Sequence, residues 1–306
     1  MMKIAVIFES SPFDRKGLFN AVHERVRHLL AEGGCTIDAY CVHSRDNAFT
    51  RKVRHTPETP SVDHVTIDGI RYEMMWYRFS VVDHVLVEKM HCRPLLFKSL
   101  VRCVVDRLQG YDVIIGHSFT GSYIAYKAHC IYGTVFFANW HGSDVHTHPW
   151  RLPMMLDDTR QIMKNAACNF FVSKALKDFS DRIATDAAKE VLYNGVSDSF
   201  VRFPDAERAA VRKRFGVTEG DKSVSFAGSL VSVKNVRVLA PLFRKISERF
   251  DGSVKFLIAG DGKLRSSVEA DMSAAGLDVS FLGNLGPEEM PAFMNSTDVL
   301  VLPSLN

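Results

Sequence analysis

The segment Asp298-Val-Leu-Val-Leu-Pro-Ser-Leu-Asn306 joins an apolar run to a Pro-Ser turn. The apolar run, Val299 to Leu302, predicts a buried strand, and the turn predicts where that strand ends. Ligands of parallel α/β sheets bind at the carboxyl ends of the strands. Pro303 and Ser304 are therefore candidate ligand contacts at the edge of such a sheet.

The same kind of apolar run recurs through the last third of the chain and alternates with amphipathic stretches. The predicted strands are Ser223–Ala227, Val254–Ala259, Val279–Leu282 and Val299–Leu302, and the predicted helices are Val236–Arg249, Leu264–Ala275 and Pro287–Met294. This alternation is typical of βαβ units and a parallel sheet. A doubly wound domain usually has about six parallel strands, so this pattern predicts an incomplete one.

An earlier series of the same type fills the first two thirds of the chain. Its predicted strands are Lys3–Phe8, Thr36–Val42, Asp112–Ile115, Thr134–Asn139, Cys168–Val172 and Glu190–Leu192, and its predicted helices are Gly17–Ala31, Leu86–Leu108 and Asp157–Asn165. Val65–Arg78 predicts a hairpin that turns at Asp68-Gly69. Asn194-Gly195 is a turn signal and predicts a boundary between domains 1–196 and 197–306. We expect an α/β chain of two Rossmann-like, doubly wound domains, the second incomplete.

Composition excludes several classes of protein. Hydrophobic residues make up 46% and charged residues 24% of the chain, as in ordinary globular proteins. The net charge of +3 is too small to indicate a nucleic-acid partner. No apolar run approaches the roughly 18 residues of a membrane span, and the N-terminal run is too short for a signal peptide. The chain is predicted to be cytoplasmic.

The first candidate ligand loop follows the first strand and ends at Gly17. A glycine that opens a helix lets the backbone approach a ligand, and the free N–H groups of the helix start favour an anion. The alternative is a glycine kept for packing between helix and sheet.

The second candidate loop, Trp140 to His148, follows the strand that ends at Asn139. Histidine can polarise or protonate an oxygen near neutral pH, and Gly142 would let a substrate come close. Asp144, His146 and His148 are all metal-ligand types, so a metal site is an alternative, and a histidine-rich surface turn is another. We favour a sugar or phosphate contact through His141.

Two more candidate loops lie in the second domain. Gly228-Ser229 to Lys234 connects a strand to a helix start, an arrangement that suits an anion cradled by backbone amides and neutralised by the lysine. The spacing is not that of a Walker A loop. Gly260-Asp261-Gly262 follows the next strand and is either a ligand contact or a turn with a helix N-cap.

These segments occur in the order and spacing of a known family. The matching stretches are the Gly17 loop, His141–Asp144, Phe171–Ser173, Tyr193–Val196, Phe226–Gly228 with Lys234, Ile258–Gly262, Phe281–Gly283 and Asp298–Ser304. Through them the chain resembles the family 4 glycosyltransferases of the GT-B fold. The resemblance covers nearly the whole sequence.

The resemblance implies a retaining transfer of a hexosyl group from a UDP- or GDP-linked sugar, with no cofactor and no obligatory metal. By this likeness His141 and Lys234 are catalytic, with His141 near the transferred sugar and Lys234 on the diphosphate. The implied donor contacts are Gly17, Gly142, Gly228, Ser229, Lys234, Gly260, Asp261, Gly262, Pro303 and Ser304. The implied setting is surface-polysaccharide or glycolipid assembly, with a saccharide or lipid-linked acceptor.

Two departures from the family pattern modify this expectation. Ser229 stands where the family often has an arginine, which removes one diphosphate cation. The two glutamates expected just beyond Asn306 are missing. We therefore expect either a sequence cut off from a longer protein, which we favour, or a natural remnant, and in both cases weak or absent activity. A nucleotide-sugar epimerase of the same fold and a non-catalytic saccharide-binding module are the alternative functions.

The acceptor site is predicted with less detail. Asp144, Trp76 and Arg78 are candidate acceptor contacts. The aromatic and basic cluster Trp76-Tyr77-Arg78 could touch either an acceptor or a membrane surface. The segment Cys92–Lys98 begins a basic amphipathic stretch. This segment predicts a contact with an acceptor or with a membrane surface, or else a packed helix with solvated lysines.

Overall fold

A computed structural model describes residues 1–13, 17–46, 49, 51–52, 60, 62–90, 92, 97–151 and 153–305. The chain divides into two compact units, Met1–Gly195 and Val196–Asn306. Each unit has its own sheet and its own apolar cores.

Unit 1 contains, among its described residues, a sheet of eight strands. They are β1 (Met2–Glu9), β2 (Cys35–Asp46), β3 (His64–Ile67), β4 (Ile70–Phe79), β5 (Val113–His117), β6 (Val135–Trp140), β7 (Cys168–Phe171) and β8 (Lys189–Val191). The spatial order is β3-β4-β2-β1-β5-β6-β7-β8. All neighbouring pairs are parallel except β3 and β4. Strands β2 to β4 are added on one side of β1, and strands β5 to β8 are added on its other side. The sheet therefore reverses its strand order between β1 and β5, which is its topological switch point.

Helices cover both faces of this sheet. They are α1 (Gly17–Glu32), α2 (Val81–Glu88), α3 (Phe97–Asp106), α4 (Ser118–Tyr132), α5 (Ser143–His146), α6 (His148–Arg151), α7 (Pro153–Asn165) and α8 (Lys174–Phe179). Strand β1 supplies both cores: Ala5 and Ile7 pack into one, while Val6 and Phe8 pack into the other. Because both faces are buried, the strand reads as a continuous apolar run.

The predicted hairpin is confirmed and is attached to α1. Its turn uses left-handed backbone at Asp68 (φ 49°) and Gly69 (φ 78°), the conformation that an Asp-Gly turn favours. The buried His23 of α1 lies 2.6 Å from the Tyr72 hydroxyl through Nδ1 and 3.0 Å from the Asp68 carboxylate through Nε2. This chain of hydrogen bonds holds the hairpin against the helix.

One predicted helix of unit 1 is wrong, and one long observed helix was not predicted. The predicted helix Leu86–Leu108 is wrong: α2 ends at Glu88, a turn follows at Lys89 and Met90, and α3 begins at Phe97. Helix α4 was not predicted. Its buried residues surround it and include polar ones such as Thr120 and Ser122, so it lacks the exposed stripe that marks an amphipathic helix.

Unit 2 contains a four-stranded parallel sheet among its described residues. The strands are β9 (Lys222–Ala227), β10 (Val254–Ala259), β11 (Val279–Gly283) and β12 (Val299–Leu300), in the order β11-β10-β9-β12. The helices are α9 (Asp205–Arg214), α10 (Leu239–Arg249), α11 (Arg265–Ala274) and α12 (Met290–Ser296), with 3-10 turns at Ser232–Lys234 and Val236–Val238. The predicted number of four strands is confirmed.

Two features of unit 2 differ from the prediction. The run Val299 to Leu302 is not buried: Val299 is 53% and Leu302 62% exposed, because β12 pairs with β9 at the edge of the described sheet. Helix α9 was not predicted because none of its residues is buried. Its two acids lie in the first turn and three of its four bases in the last, which complements the helix dipole.

Candidate functional site

The carboxyl edge of the unit 1 sheet brings two histidines together. His117 is the last residue of β5 and pairs in register with Asn139 of β6. His141 follows the end of β6 by one residue. The Nδ1 atom of His117 lies 3.1 Å from the Nε2 atom of His141. Sequence reasoning singled out His141 and missed His117, although its place directly after a buried apolar run is a usable signal.

Both imidazoles are neutral at physiological pH. Burial, and next the nearby Arg25, lower the pKa of His141 to about 4. Burial also holds the pKa of His117 well below its ordinary value, with contributions from His141 and Arg25. His117 is only 2% exposed. A hydrogen bond between two neutral imidazoles needs one N–H donor and one bare nitrogen, so each ring fixes the tautomer of the other.

Arg25 of α1 holds the neighbouring backbone and provides the local positive charge. Its Nη1 donates to the Asn139 side-chain carbonyl at 2.8 Å. Its Nη2 donates to the Leu192 carbonyl and to the Asn194 side chain, both at 3.1 Å. Burial lowers the pKa of this guanidinium. One side chain thus links the end of β6 to the end of unit 1.

Asp144 organises the loop that carries His141. Its carboxylate accepts hydrogen bonds from the backbone N–H of Gly142 at 2.7 Å and of His141 at 3.1 Å. The side chain is buried, and burial raises its pKa to about 6 against the opposing effect of these hydrogen bonds. Asp144 is therefore turned inward, toward the loop backbone, and its predicted contact with an acceptor stays a prediction. Among the described residues no three acidic, histidine or cysteine side chains cluster as metal ligands would.

The other predicted site residues of unit 1 are Gly17, Trp76 and Arg78, and they differ in burial. Gly17 is the exposed first residue of α1, and among the described atoms none lies within 4 Å of where a Cβ would stand. Packing therefore gives no reason for a glycine there. Trp76 is half-buried and its indole N–H donates to the Val62 carbonyl at 2.7 Å, whereas Arg78 is exposed.

The predicted surface segment near residue 92 is only partly described. Residues 93–96 lie outside the described part of the chain. The apolar side chains of α3, which follows, are buried in the core of unit 1, while Lys98 and Arg102 are exposed. This arrangement is that of a packed helix with solvated basic residues.

In unit 2 the two glycine-containing loops interlock. The Leu230 N–H donates to the Asp261 carbonyl at 3.0 Å, and the Gly228 N–H to the Ala259 carbonyl at 2.9 Å. A Cβ on Gly260 would stand 2.0 Å from the Gly228 carbonyl oxygen, and one on Gly262 would stand 2.5 Å from the Leu230 carbonyl oxygen. The two loops, which lie at the carboxyl ends of β9 and β10, form one backbone surface.

The polar side chains of these loops differ in position from the prediction. Lys234 does not lie in the first turn of an α-helix: it ends a 3-10 turn, Asn235 follows with φ 51°, and α10 begins only at Leu239. The Asp261 carboxylate accepts from the Gly262 N–H at 2.6 Å and from Arg265 at 3.2 Å. The α11 N-cap is Leu264, and it has no side-chain hydrogen bond.

The remaining predicted donor residues lie along the same edge. Ser229 is exposed between Gly228 and the buried Leu230. Pro303 and Ser304 follow β12 and are half-buried, and the Leu305 N–H donates to the Val233 carbonyl at 3.1 Å. The segment after β12 thus lies against the loop that carries Lys234.

Two more polar features at the unit 1 edge escaped sequence reasoning. Ser118, next to His117, has a φ of 58°, a strained conformation of the kind that clusters at functional sites. Glu9 ends β1, beside β5, and accepts a hydrogen bond from the Thr120 hydroxyl. Both residues directly follow or end an apolar strand, which is the signal that could have found them.

The chain is similar in sequence to known glycosyltransferases. Residues 207–306 match the family model of Glycosyl transferases group 1. A 2-deoxystreptamine glucosyltransferase from Streptomyces kanamyceticus is 31% identical over 120 residues, a match that spans 38% of this chain and 31% of that enzyme.

Solved structures resemble the chain over almost its full length. HepE from Anabaena, in complex with UDP and glucose, has a TM-score of 0.71 at 16% identity and is matched over 99% of this chain and 74% of its own. Sucrose-phosphate synthase from Thermosynechococcus elongatus has the same TM-score and identity, with 99% and 76% covered.

These findings confirm the predicted resemblance to GT-B glycosyltransferases and the predicted fold class. Residues 207–306, which match that family model, lie within unit 2. Membership of family 4 stays a prediction. No helix in the described part of the chain is long and apolar enough to cross a membrane.

Proposed function

We propose that this chain transfers a hexosyl group from a UDP- or GDP-linked sugar to an acceptor hydroxyl, with retention of configuration at the anomeric carbon. The observation that carries the proposal is the interlocked pair of glycine loops at the carboxyl ends of β9 and β10, within the residues that match the group 1 family. HepE, a structure of the same fold, holds UDP and glucose.

Unit 2 is proposed to bind the donor. The backbone around Gly228 and Ser229, with Pro303 and Ser304, would take the nucleotide diphosphate. The turn of Gly260, Asp261 and Gly262 would lie near the nucleotide base. As the bond from the anomeric carbon to the diphosphate breaks, negative charge grows on the leaving oxygen. Lys234 would neutralise that charge electrostatically, without a cofactor or an obligatory metal.

Unit 1 is proposed to bind the acceptor and the transferred sugar. His141 would hydrogen-bond the sugar, Gly17 and Gly142 would let the ligands approach, and Asp144 would hold the loop. In the transfer step the acceptor oxygen bonds to the anomeric carbon, and the bond from that carbon to the diphosphate breaks. The diphosphate keeps the electron pair, and its departing oxygen takes the proton of the acceptor hydroxyl.

The acceptor is proposed to be a saccharide, a lipid-linked saccharide or a related polyol. The relative from Streptomyces kanamyceticus is named for glucosyl transfer to 2-deoxystreptamine, an aminocyclitol. A cytoplasmic location, with or without a peripheral contact with the membrane, suits a nucleotide-sugar donor.

The proposal is tested by thermal-shift titration of the chain with UDP, GDP and ADP. A ligand that binds only the folded state raises the midpoint of unfolding. We expect UDP or GDP to stabilise the protein and ADP to have a weaker effect, and we expect a sugar conjugate of the effective nucleotide to bind as well.

A nucleotide-sugar epimerase would instead release free nucleotide and an altered sugar without an acceptor, which chromatography of the reaction products detects. Absence of stabilisation by every nucleotide, together with binding of a saccharide, would replace the proposal with a saccharide-binding module.

A further inference from the structure

Glu9 stands at the switch point of the unit 1 sheet. It is the last residue of β1, and β1 lies between β2 and β5. The neighbouring strand β5 ends at His117, beside His141. Ligands of open parallel sheets bind in the crevice that opens at this point. The half-buried Glu9 side chain is therefore at the place in unit 1 where a ligand is expected.

Two hydroxyl groups from different elements hold the Glu9 carboxylate. The Tyr77 hydroxyl of β4 donates to Oε1 at 3.3 Å, and the Thr120 hydroxyl of α4 donates to Oε2. Thr120 is only 7% exposed. Because both oxygens are held, the carboxylate has one orientation before any ligand arrives, and each oxygen keeps further lone pairs.

The charge of this carboxylate is not matched by its hydrogen-bond partners. Both partners are neutral hydroxyls, and Glu9 forms no ion pair within the described part of the chain. The adjacent His117 and His141 are neutral at physiological pH as well, because burial lowers the pKa of each. A half-buried carboxylate that has no cation beside it among the described residues favours a positively charged ligand group.

We propose that Glu9, held by Tyr77 and Thr120, binds the ammonium group of an amine-bearing acceptor, an aminocyclitol or amino sugar. The proposal rests on the proposed function, since it names the acceptor class of that site. The contrasting explanation is an acid that complements the α4 dipole. Glu9 takes its hydrogen bonds from side-chain hydroxyls of two different elements, an arrangement that the dipole alone does not require.

The test compares a cationic and a neutral probe of similar shape, 2-deoxystreptamine and scyllo-inositol, by calorimetric titration of the full chain. The variant Glu9→Gln removes the charge and keeps the size of the side chain. Glu32→Gln is the control, because it makes the same change at an exposed position in the last turn of α1.

We expect Glu9→Gln to weaken binding of 2-deoxystreptamine by about tenfold or more, because a hydrogen bond between charged groups is lost. Binding of scyllo-inositol should change less than about twofold, as for a near-neutral contact. Glu32→Gln should change neither. Equal losses for both probes, accompanied by a lower unfolding midpoint, would assign Glu9 to structure alone. Equal binding of the amine by the wild type and Glu9→Gln would also overturn the inference.

Nucleotide titration of the same samples separates this inference from the proposed function. If UDP or GDP stabilises the wild type and Glu9→Gln alike while the amine shows no preference for Glu9, only the acceptor class is wrong. If no nucleotide binds to any sample, the proposed function fails, whatever the amine does.

Discussion

Gly260 lies so close to the Gly228 carbonyl oxygen that a Cβ atom at Gly260 would stand 2.0 Å from it. The φ of Gly260 is 130°, a region that other residues rarely adopt. The contact joins two loops that are about thirty residues apart, and it is made by backbone atoms, so a side-chain rearrangement cannot relieve it.

We therefore expect Gly260→Ala to destabilise unit 2 severely. Backbone strain alone costs about 1–3 kcal/mol, and the clash adds to it. Chemical denaturation monitored by circular dichroism measures the loss, and the proposed nucleotide binding should disappear with it. An unfolding free energy within 0.5 kcal/mol of wild type, the usual scatter of roughly neutral changes, would show that the loops are not locked.

Gly17→Ala is the matched contrast. Its backbone φ is not positive and its Cβ position is open among the described atoms. We expect the unfolding free energy to be unchanged or to rise by up to about 1 kcal/mol. If a ligand approaches this backbone, the methyl group should weaken nucleotide-sugar binding about tenfold, the effect of a tight steric contact. Unchanged binding would mean that no ligand reaches Gly17.

The charge on Lys234 should matter more for ligands than for folding. We expect Lys234→Met to weaken nucleotide diphosphate binding by about tenfold or more, because one charge-assisted contact is lost, while the unfolding midpoint barely moves. Lys222→Met, at an exposed position at the start of β9, is the control. If both variants bind the nucleotide equally well, Lys234 does not contact the diphosphate.

The neutral state of His141 makes stability depend on pH. Its pKa is about 4 in the folded protein and about 6.5 when unfolded. The unfolded chain therefore binds the proton more readily, and stability falls as the pH drops from about 7 toward 4.

We expect the difference in unfolding free energy between wild type and His141→Gln to change by about 2 kcal/mol between pH 7.5 and pH 5. The raised pKa of Asp144, about 6, acts in the opposite direction in both proteins, and so does not enter the difference to first order. A difference that is constant with pH would contradict a half-buried imidazole that stays neutral in the folded protein.

Asp298 should stabilise unit 2 above pH 4. Burial raises its pKa, but hydrogen bonds from the Ser223 N–H, Arg208 and Arg212 outweigh this and hold it at about 2. The stabilisation is present above the unfolded value near 3.9 and is lost as the pH falls toward 2. We expect Asp298→Asn to cost about 1 kcal/mol at pH 7, because the residue is exposed and solvent screens its ion pairs, and little at pH 2. Equal losses at both values would mean that the ion pairs contribute nothing.

The sequence was informative where a buried strand produces an apolar run. Val254–Ala259 was predicted with its observed bounds, and the Asp68-Gly69 turn was recognised from its chemistry alone. Helices at the two extremes of burial were missed, since α4 has no exposed stripe and α9 has no buried residue. Amphipathic periodicity cannot reveal either kind.

The candidate site was predictable only in its separate parts. The motifs at His141, Gly228 and Gly260 stand out because glycine and histidine follow apolar runs. Their mutual contacts depend on which strands are neighbours. The hydrogen bond between His117 and His141 joins β5 to β6, and no local pattern encodes the pairing of those strands. Likewise, the left-handed Asn235, which displaces Lys234 from the helix, has no simple sequence signal.

Strand β1 sends alternate side chains into the two separate apolar cores of unit 1. The same strand backbone therefore positions apolar side chains in both cores. If the helices on one face unpack and β1 shifts, the packing on the other face is lost as well. We therefore expect the helices on the two faces of the unit 1 sheet to unfold in one cooperative transition. An intermediate with only one face packed is not expected, because both faces depend on the same sheet.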